Sequence, residues 1–286
     1  MLKDSLLYGN TYCAIEYSVN EVGEELFIAL LLLKKKGELE VKAKEKFKSS
    51  IELKNFLRGE KQKHLVLVIN NQQVLFKTIE RNEKNPVSSA FPTVNSKDFL
   101  SEVKHSAKKS FVGIVRKNYA ESLVTFFREE GITVLDMVIG SLSVFGLLDV
   151  LPENDDVFTT NSKISIDQNE ITSFESRNFQ ELVYRINGLE IENYELLSLG
   201  AIVNFYLNKE LQQSNEELEE FTHKTIFTKS LMAGLVLIFV VLLVNFLFFS
   251  KYYSKIEKIR ADLSIHSETK EALKTIAKDV DKKKKL

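Results

Sequence analysis

The chain has 286 residues, of which 44% are hydrophobic and 28% are charged, and its formal net charge is −1. This is ordinary globular composition, enough for one large domain or two small ones. The balance of 39 basic and 40 acidic residues gives no support for a nucleic-acid partner. One cysteine, Cys13, excludes an internal disulfide framework and a multi-cysteine zinc site.

The N-terminal segment does not resemble an export signal. It carries Lys3, Asp4 and Glu16 and has no uninterrupted apolar stretch. Residues 11–19 then alternate in polarity and end in a turn-like sequence, which predicts a strand followed by a turn.

An apolar run over residues 26–33 predicts a buried strand, and KKKGE predicts a hairpin turn into a second strand. The second strand carries lysines at alternate positions. We expect them to form a solvated face that protects a sheet edge, with binding of a partner or an acidic lipid as the alternative. These lysines are Lys42, Lys44, Lys46 and Lys48.

The next segments alternate between helix and strand signals. Residues 49–58 predict a short helix, and residues 64–80 predict two strands joined at a turn of Asn70 and Asn71. Ser96 is expected to cap a further helix that starts at Lys97.

A strand–helix–strand unit is predicted over residues 111–139. Asn118 is expected to cap its helix, residues 119–130, and Gly131 to end it. Such a unit is typical of an α/β layer. The second half repeats the mixed pattern, with strands over residues 157–176 and helices at 179–185 and 192–207.

Residues 231–249 form an apolar segment without a charge. As a helix, about 19 residues span roughly 28 Å, close to the hydrocarbon thickness of a bilayer. A buried core helix is the alternative, but core helices of this length rarely lack all charge. We therefore predict three regions: a soluble domain at 1–222, a transmembrane helix at 226–250, and a charged, coiled-coil-like helical tail at 251–286.

The orientation of this helix is predicted from two signals that disagree. Lys251, Lys255, Lys258 and Arg260 follow the segment, and the positive-inside rule alone slightly favours a cytoplasmic tail. The missing export signal points the other way, because a large N-terminal domain then stays in the cytoplasm. Giving the second signal more weight, we expect a cytoplasmic N-terminal domain and a periplasmic tail in a bacterial inner membrane.

An apolar stripe with alternating spacings of three and four residues runs through the membrane segment into the tail. An Asn in hydrocarbon tends to find a partner across a helix interface, at about 1 kcal/mol. The stripe is therefore a candidate seam for a homodimer or heterodimer, unless its Asn lies shallow enough to be hydrated. The candidate interface residues are Leu242, Asn245, Phe249, Tyr252, Ile256 and Ile259.

The order of elements over residues 10–208 resembles the cytoplasmic actin-like domain of the bacterial pilus assembly protein PilM and of type II secretion protein L. The matching segments are KKKGELEV, VLFKTIE before FPTVNSKDFLSEV, FVGIVRKNYAESLVTFFREEGITVLDMVIGSLSV and LLSLGA. The resemblance implies a mixed α/β, degenerate actin-like fold of two subdomains, followed here by one transmembrane helix and a short helical tail.

Actin-like ATPases carry Asp-x-Gly phosphate loops, in which glycine lets the backbone approach phosphate and the carboxylate organises the metal. Here Glu16 lies on the first strand with no glycine in register, and Asp167 precedes Gln168 and Asn169 rather than a glycine-rich turn. We therefore expect no cofactor and no ATP turnover, with Glu16 and Asp167 at most remnants of a nucleotide site.

Other catalytic signals are absent from the sequence. The four histidines lack metal-ligand spacing, and there is no Walker loop and no Gly-x-Ser-x-Gly motif. We predict no catalytic residue and no metal site. The expected function is a non-catalytic platform that recruits a secretion or pilus motor ATPase and pairs with other inner-membrane proteins. The alternatives are a membrane-tethered actin-like ATP switch or filament protein, and an unrelated membrane-anchored adaptor.

Overall fold

The computed structural model describes residues 2–19, 23–152, 155–176, 181–211 and 216–284. The chain divides into two compact units, Met1–Thr225 (unit 1) and Ile226–Leu286 (unit 2).

Unit 1 is a mixed α/β domain, as predicted, and the helices that lie wholly within it are short. Its strands are β1 Thr11–Val19, β2 Glu25–Lys35, β3 Glu38–Phe47, β4 His64–Asn70, β5 Leu75–Glu80, β6 Phe99–His105, β7 Lys109–Arg116, β8 Thr133–Ile139, β9 Asp156–Phe158, β10 Ser162–Asp167, β11 Glu170–Ser176, β12 Val183–Ile186 and β13 Leu189–Glu192. The α-helices are α1 Leu2–Tyr8, α2 Ser50–Gly59, α3 Pro86–Ala90, α4 Lys117–Glu129, α5 Leu196–Ile202 and α6 Glu216–Lys284. Shorter helical segments are 3₁₀ at Gly140–Val150 and Asn193–Glu195, and π-helical at Val203–Asn208.

The central sheet has five strands in the order β3-β2-β1-β4-β8. β2 is antiparallel to both of its neighbours, while β1, β4 and β8 are parallel. The hairpin between β2 and β3 turns at Lys36 and Gly37, both at positive φ (53° and 96°), which confirms the turn that KKKGE predicts. Because β1, β4 and β8 are adjacent and parallel, their carboxyl ends lie together at one end of the sheet.

Each face of this sheet carries a core, because alternate residues of a strand point to opposite sides. Cys13 and Ile15 of β1 lie in a core completed by Leu53 of α2 and Phe127 of α4. The opposite face, which includes Tyr12 of β1, packs against α5 and the 3₁₀ segment Gly140–Val150. The predicted helix at 49–58 is confirmed, with Ser49 Oγ accepting a hydrogen bond from the Ile51 amide at 3.2 Å.

Three smaller sheets complete the described part of unit 1. They have the orders β5-β7-β6, β11-β10-β9 and β12-β13. The first two are joined at their turns, where the Ser106 hydroxyl donates to the Ile171 carbonyl at 2.6 Å and the Lys109 ammonium donates to the Thr172 carbonyl at 2.9 Å.

The predicted helix starting at Lys97 is wrong, because this segment forms β6, which pairs antiparallel with β7. The side chain that makes the local hydrogen bonds here is Asn95, not the predicted Ser96. Its side chain accepts from the Lys97 amide at 3.2 Å and donates to Asp98 at 3.0 Å, which makes a turn rather than a helix start.

The predicted turn at Asn70 and Asn71 does not make a hairpin. β4 is already paired with β1 on one side and β8 on the other, so it has no free edge for β5. The chain instead leaves the central sheet after Asn70, and β5 pairs with β7.

The strand–helix–strand unit is present but does not form one layer, because β7 and β8 belong to different sheets. The residue that caps α4 is Arg116, in extended conformation and without a side-chain hydrogen bond, rather than Asn118. Gly131 follows the helix at φ 72°, as predicted. Part of the predicted helix at 179–185 lies outside the described residues, and its last three positions belong to strand β12.

Lys42, Lys44 and Lys46 lie on the edge strand β3, as predicted, whereas Lys48 follows the end of that strand. The three lysines on β3 form ion pairs instead of a freely solvated face. Their side chains are about one-third exposed, so they hold acidic residues of neighbouring elements against the sheet edge. The pairs are Lys42–Glu60 at 2.7 Å, Lys44–Glu192 at 3.3 Å and Lys46–Glu181 at 3.6 Å.

The first turns of α6 belong to unit 1, where Leu218 and Phe221 pack against the core that contains α5. The rest of α6 is unit 2. Within the residues that the structure describes, α6 is the one helix long and apolar enough to cross a membrane, and its most apolar stretch has none of its residues buried. The prediction of one long apolar helix after the α/β domain is confirmed.

Candidate functional site

Three polar side chains meet at the carboxyl end of the central sheet. Glu16 comes from β1, Asn70 is the last residue of β4, and Asn161 lies in the turn between β9 and β10. Asn70 Nδ2 donates to Glu16 Oε1 at 2.7 Å. The amides of Asn70 and Asn161 also donate to each other's oxygens, at 3.0 and 3.1 Å. This cluster links the central sheet to the sheet that contains β9 and β10.

Glu16 is fully buried in this cluster. Burial disfavours its charged form and raises the pKa of the carboxyl group to about 7, although hydrogen bonds from Asn70 and Thr160 partly offset that effect. A carboxyl group that is half protonated near neutral pH is a weak ligand for a magnesium ion, since hard cations bind ionised carboxylates.

A cavity of about 270 Å³ lies beside the cluster, at the ends of β4 and β8. Ligands of open α/β sheets bind in this position, outside the carboxyl ends of parallel strands. Its walls carry amide, hydroxyl and apolar side chains and one carboxylate, that of Glu175, with no lysine or arginine among them. Its chemistry therefore suits an uncharged polar group better than a polyphosphate, which proteins bind with cations and glycine-rich backbone. The remaining lining includes Asn70, Asn71, Val74, Phe76, Gly140, Ser141, Asn161, Ser162, Phe174 and Ser176.

The structure does not bring Asp167 to this site. Asp167 ends β10, whereas Asn161 directly precedes that strand, so about 20 Å of extended chain separates them. Asp167 is exposed in a hairpin turn whose Gln168 and Asn169 adopt positive φ values of 51° and 60°. The side chains opposite Glu16 come from the turn before β10.

Sequence reasoning missed Asn70, Thr160 and Asn161. Asn70 carries a signal that could have found it, because it is the polar end of the otherwise apolar strand HLVLVIN. Thr160 and Asn161 lie in the polar turn FTTNS between two short strands. Neither pattern shows that the two segments meet, since they are 91 positions apart.

The described residues contain no group of three or more His, Cys, Asp or Glu side chains that could hold a metal ion.

Cys13 is buried in the core, and burial raises the pKa of its thiol far above the usual range.

The six predicted interface residues of the membrane helix all lie on α6 in unit 2, and their side chains are exposed in the single chain. The seam therefore stays a prediction.

No protein-family model and no curated protein matches the chain. Several solved structures are similar to it. The cytoplasmic domain of EpsL, an inner membrane component of the type II secretion system of Vibrio cholerae, matches with a TM-score of 0.40 and 9% identity over 59% of this chain and 70% of that one. The PilM–PilN type IV pilus biogenesis complex matches with a TM-score of 0.43 and 9% identity over 57% of this chain and 60% of that one.

The Ppx/GppA phosphatase of Aquifex aeolicus is also similar, with a TM-score of 0.30 and 10% identity over 59% of this chain and 52% of that one. The chain thus spans less than two thirds of the PilM–PilN and phosphatase chains. The first two structures belong to the group of proteins that the sequence resembles.

Proposed function

We propose that this chain is a non-catalytic, membrane-anchored platform protein of a type II secretion or type IV pilus-like system. Its α/β unit would recruit the motor ATPase of that system, and α6 would pair with other inner-membrane components. The sequence resemblance supports the type of system. The α/β unit followed by one long apolar helix supports the anchored arrangement.

The observation that carries the non-catalytic part is the composition of the candidate site. The side-chain amides of Asn70 and Asn161 donate hydrogen bonds to each other's oxygens, so each amide is already engaged with the other. Glu16 is buried and hydrogen-bonded by Asn70, so it is not presented to a metal. Phosphate transfer needs positive charge and a metal around the transferred group, and the cavity walls carry no lysine or arginine.

The proposed orientation places unit 1 in the cytoplasm and the tail in the periplasm of a bacterial inner membrane. The stripe through Asn245 supports pairing with a second membrane helix, either of another copy or of a different platform protein.

Nucleotide binding is the property that separates this proposal from its main alternative. The alternative is a membrane-anchored actin-like protein that binds ATP as a switch or filament former. The cavity of about 270 Å³ at the carboxyl ends of parallel strands favours this alternative by its position.

The test is titration calorimetry of the full chain in detergent micelles with ATP and magnesium. We expect no heat of binding at millimolar nucleotide. Binding that Asn161→Lys strengthens and Asn161→Trp abolishes would place the nucleotide at this cluster and contradict the platform proposal. A matched pair at exposed Ser122, substituted in the same two ways, controls for general effects of charge and bulk.

A further inference from the structure

A second, larger cavity lies far from the candidate site. It has a volume of about 630 Å³, against about 270 Å³ beside Glu16. One wall is the turn between β2 and β3, which lies at the amino end of β1 because Thr11 pairs with Leu33. The candidate site lies at the carboxyl end of the same strand, so the two cavities are at opposite ends of the central sheet. We refer to the larger cavity as the basal groove.

Aliphatic side chains from four separate segments form the floor of the basal groove. Leu39 follows the β2–β3 turn, Leu147 and Val150 belong to the 3₁₀ segment, Leu189 follows the β12–β13 turn, and Leu207 ends the π-helical segment. Leu207 is 40% exposed, and Leu39, Val150 and Leu189 are only partly buried. An apolar concavity of this size within a polar rim is typical of a binding surface.

The rim of the basal groove is acidic. Glu38 and Asp149 line it, and within the described residues neither carboxylate side chain forms a hydrogen bond or an ion pair. No lysine or arginine lines it. Of the basic residues near its ends, Lys35 pairs with Glu40 at 3.8 Å and Lys209 lies 5.9 Å from the ring centre of Tyr8, while Lys36 lies exposed in the β2–β3 turn.

We infer that the basal groove binds a segment of a partner protein in which two or three aliphatic side chains stand next to lysine or arginine. The aliphatic side chains would fill the floor, and the basic side chains would pair with Glu38 and Asp149 at the rim. Apolar anchors in a pocket with complementary charge around them are the usual basis of affinity and specificity at such surfaces. This inference rests on the proposed platform function for its cellular setting, but its geometry does not depend on it.

The test is site-specific photo-crosslinking in the full chain, expressed in its own host membrane. A photoreactive amino acid replaces Leu207 on the groove floor. In a matched chain it replaces Ile51, which is 68% exposed on α2, away from the groove. We expect an adduct from position 207 alone, and mass spectrometry of the crosslinked peptide should find aliphatic residues beside lysine or arginine.

Charge reversal makes the test specific for the rim. The double substitution Glu38→Lys and Asp149→Lys should lower the yield of the adduct about ten-fold, as expected for loss of two complementary charges. The control is Glu52→Lys with Glu121→Lys, on exposed positions of α2 and α4, which should leave the yield unchanged. Equal melting temperatures of the two double variants would show that both are folded.

Several outcomes would overturn the inference. They are no adduct from position 207, an adduct with a second copy of this chain, an adduct with an acidic segment, or a yield that both double substitutions change equally. A partner captured from position 51 but not from position 207 would reject the basal groove and leave the platform function standing. Clear nucleotide binding at the Glu16 cluster would reject the platform function and leave the basal groove standing.

Discussion

Asn70 at the end of β4 holds the carboxyl group of Glu16 on β1 through a hydrogen bond of 2.7 Å, and both side chains are buried. Asn161 ties the same amide to the turn before β10. The carboxyl group of Glu16 is thus part of a buried polar network, in which its Oε1 accepts a hydrogen bond and its Oε2 has no partner. Its protonation state then affects folding stability, because the folded and unfolded chains bind protons with different affinities.

Glu16→Gln should reduce the dependence of stability on pH. The pKa of Glu16 is raised from 4.5 to about 7 in the folded chain, so the folded state binds more protons between these values. Stability is therefore highest below about pH 4.5 for this group and falls as pH rises through 7, by on the order of 3 kcal/mol. Glutamine stays neutral, so the variant should melt at a higher temperature than wild type at pH 8.

Thermal unfolding of the detergent-solubilised chain between pH 5 and 8.5 measures this effect. Glu121→Gln, on the exposed side of α4, is the control and should not change the pH profile. Some slope should remain in Glu16→Gln, because burial also raises the pKa of Glu102 to about 8. A Glu16→Gln profile parallel to that of wild type would contradict the buried, protonatable state.

Most of the elements follow from local sequence patterns, whereas their assembly does not. The five consecutive apolar residues of HLVLVIN predict strand β4, and KKKGE predicts the β2–β3 hairpin, which turns at Gly37. The pairing of β5 with β7 rather than β4 depends on contacts between segments distant in sequence, which no local pattern encodes. Glu16 was found from its place on the first strand, but its partners Asn70 and Asn161 come from distant segments.

His64→Ala should destabilise unit 1 strongly. The imidazole lies between the Tyr8 carbonyl, 2.9 Å from Nε2, and the Tyr206 hydroxyl, 2.8 Å from Nδ1. A neutral ring satisfies both, with Nε2–H donating and Nδ1 accepting. Alanine leaves the buried Tyr206 hydroxyl without this partner and opens a cavity beside Phe221, at about 3 kcal/mol in total.

Thermal unfolding at pH 7.5 measures the stability that His64→Ala loses. His266→Ala on the exposed tail is the control. The same buried environment lowers the pKa of His64 to about 4. Its contribution to stability is therefore complete above about pH 6.5 and is lost as pH falls towards 4. An equal effect of the two alanine variants would reject the structural role of His64.

Gly200→Ala should destabilise the packing of α5 on the 3₁₀ segment. A Cβ atom at Gly200 would overlap the carbonyl group of Ser143, which is backbone and cannot rotate away. We expect a loss of about 1–3 kcal/mol, as for overpacked cores. Gly59→Ala is the matched control, because a Cβ there meets nothing within 4 Å and alanine favours the helix. Chemical denaturation of the two variants should therefore give changes of opposite sign.

Asn245→Leu should weaken self-association or pairing in the membrane by about 1 kcal/mol, if the stripe through α6 is an interface. A membrane two-hybrid assay with the full chain measures this. Val240→Leu changes an exposed apolar position on the opposite face of the same helix and should have no effect. Unchanged association of Asn245→Leu would indicate that the asparagine is hydrated near the membrane surface.

The proposed orientation can be tested with a single introduced thiol, because the native one is protected. Cys13 is fully buried, and its burial raises the pKa of the thiol, so it should not react with maleimides in the folded chain. Ser267→Cys places a thiol on the exposed tail, and Ser122→Cys places one on the exposed side of α4. In intact cells with a permeabilised outer membrane, a membrane-impermeant maleimide should label position 267 and not position 122. Lysis should make both positions reactive. Labelling of position 122 alone before lysis would show the opposite orientation, with the tail in the cytoplasm. The positive-inside count by itself favours that orientation.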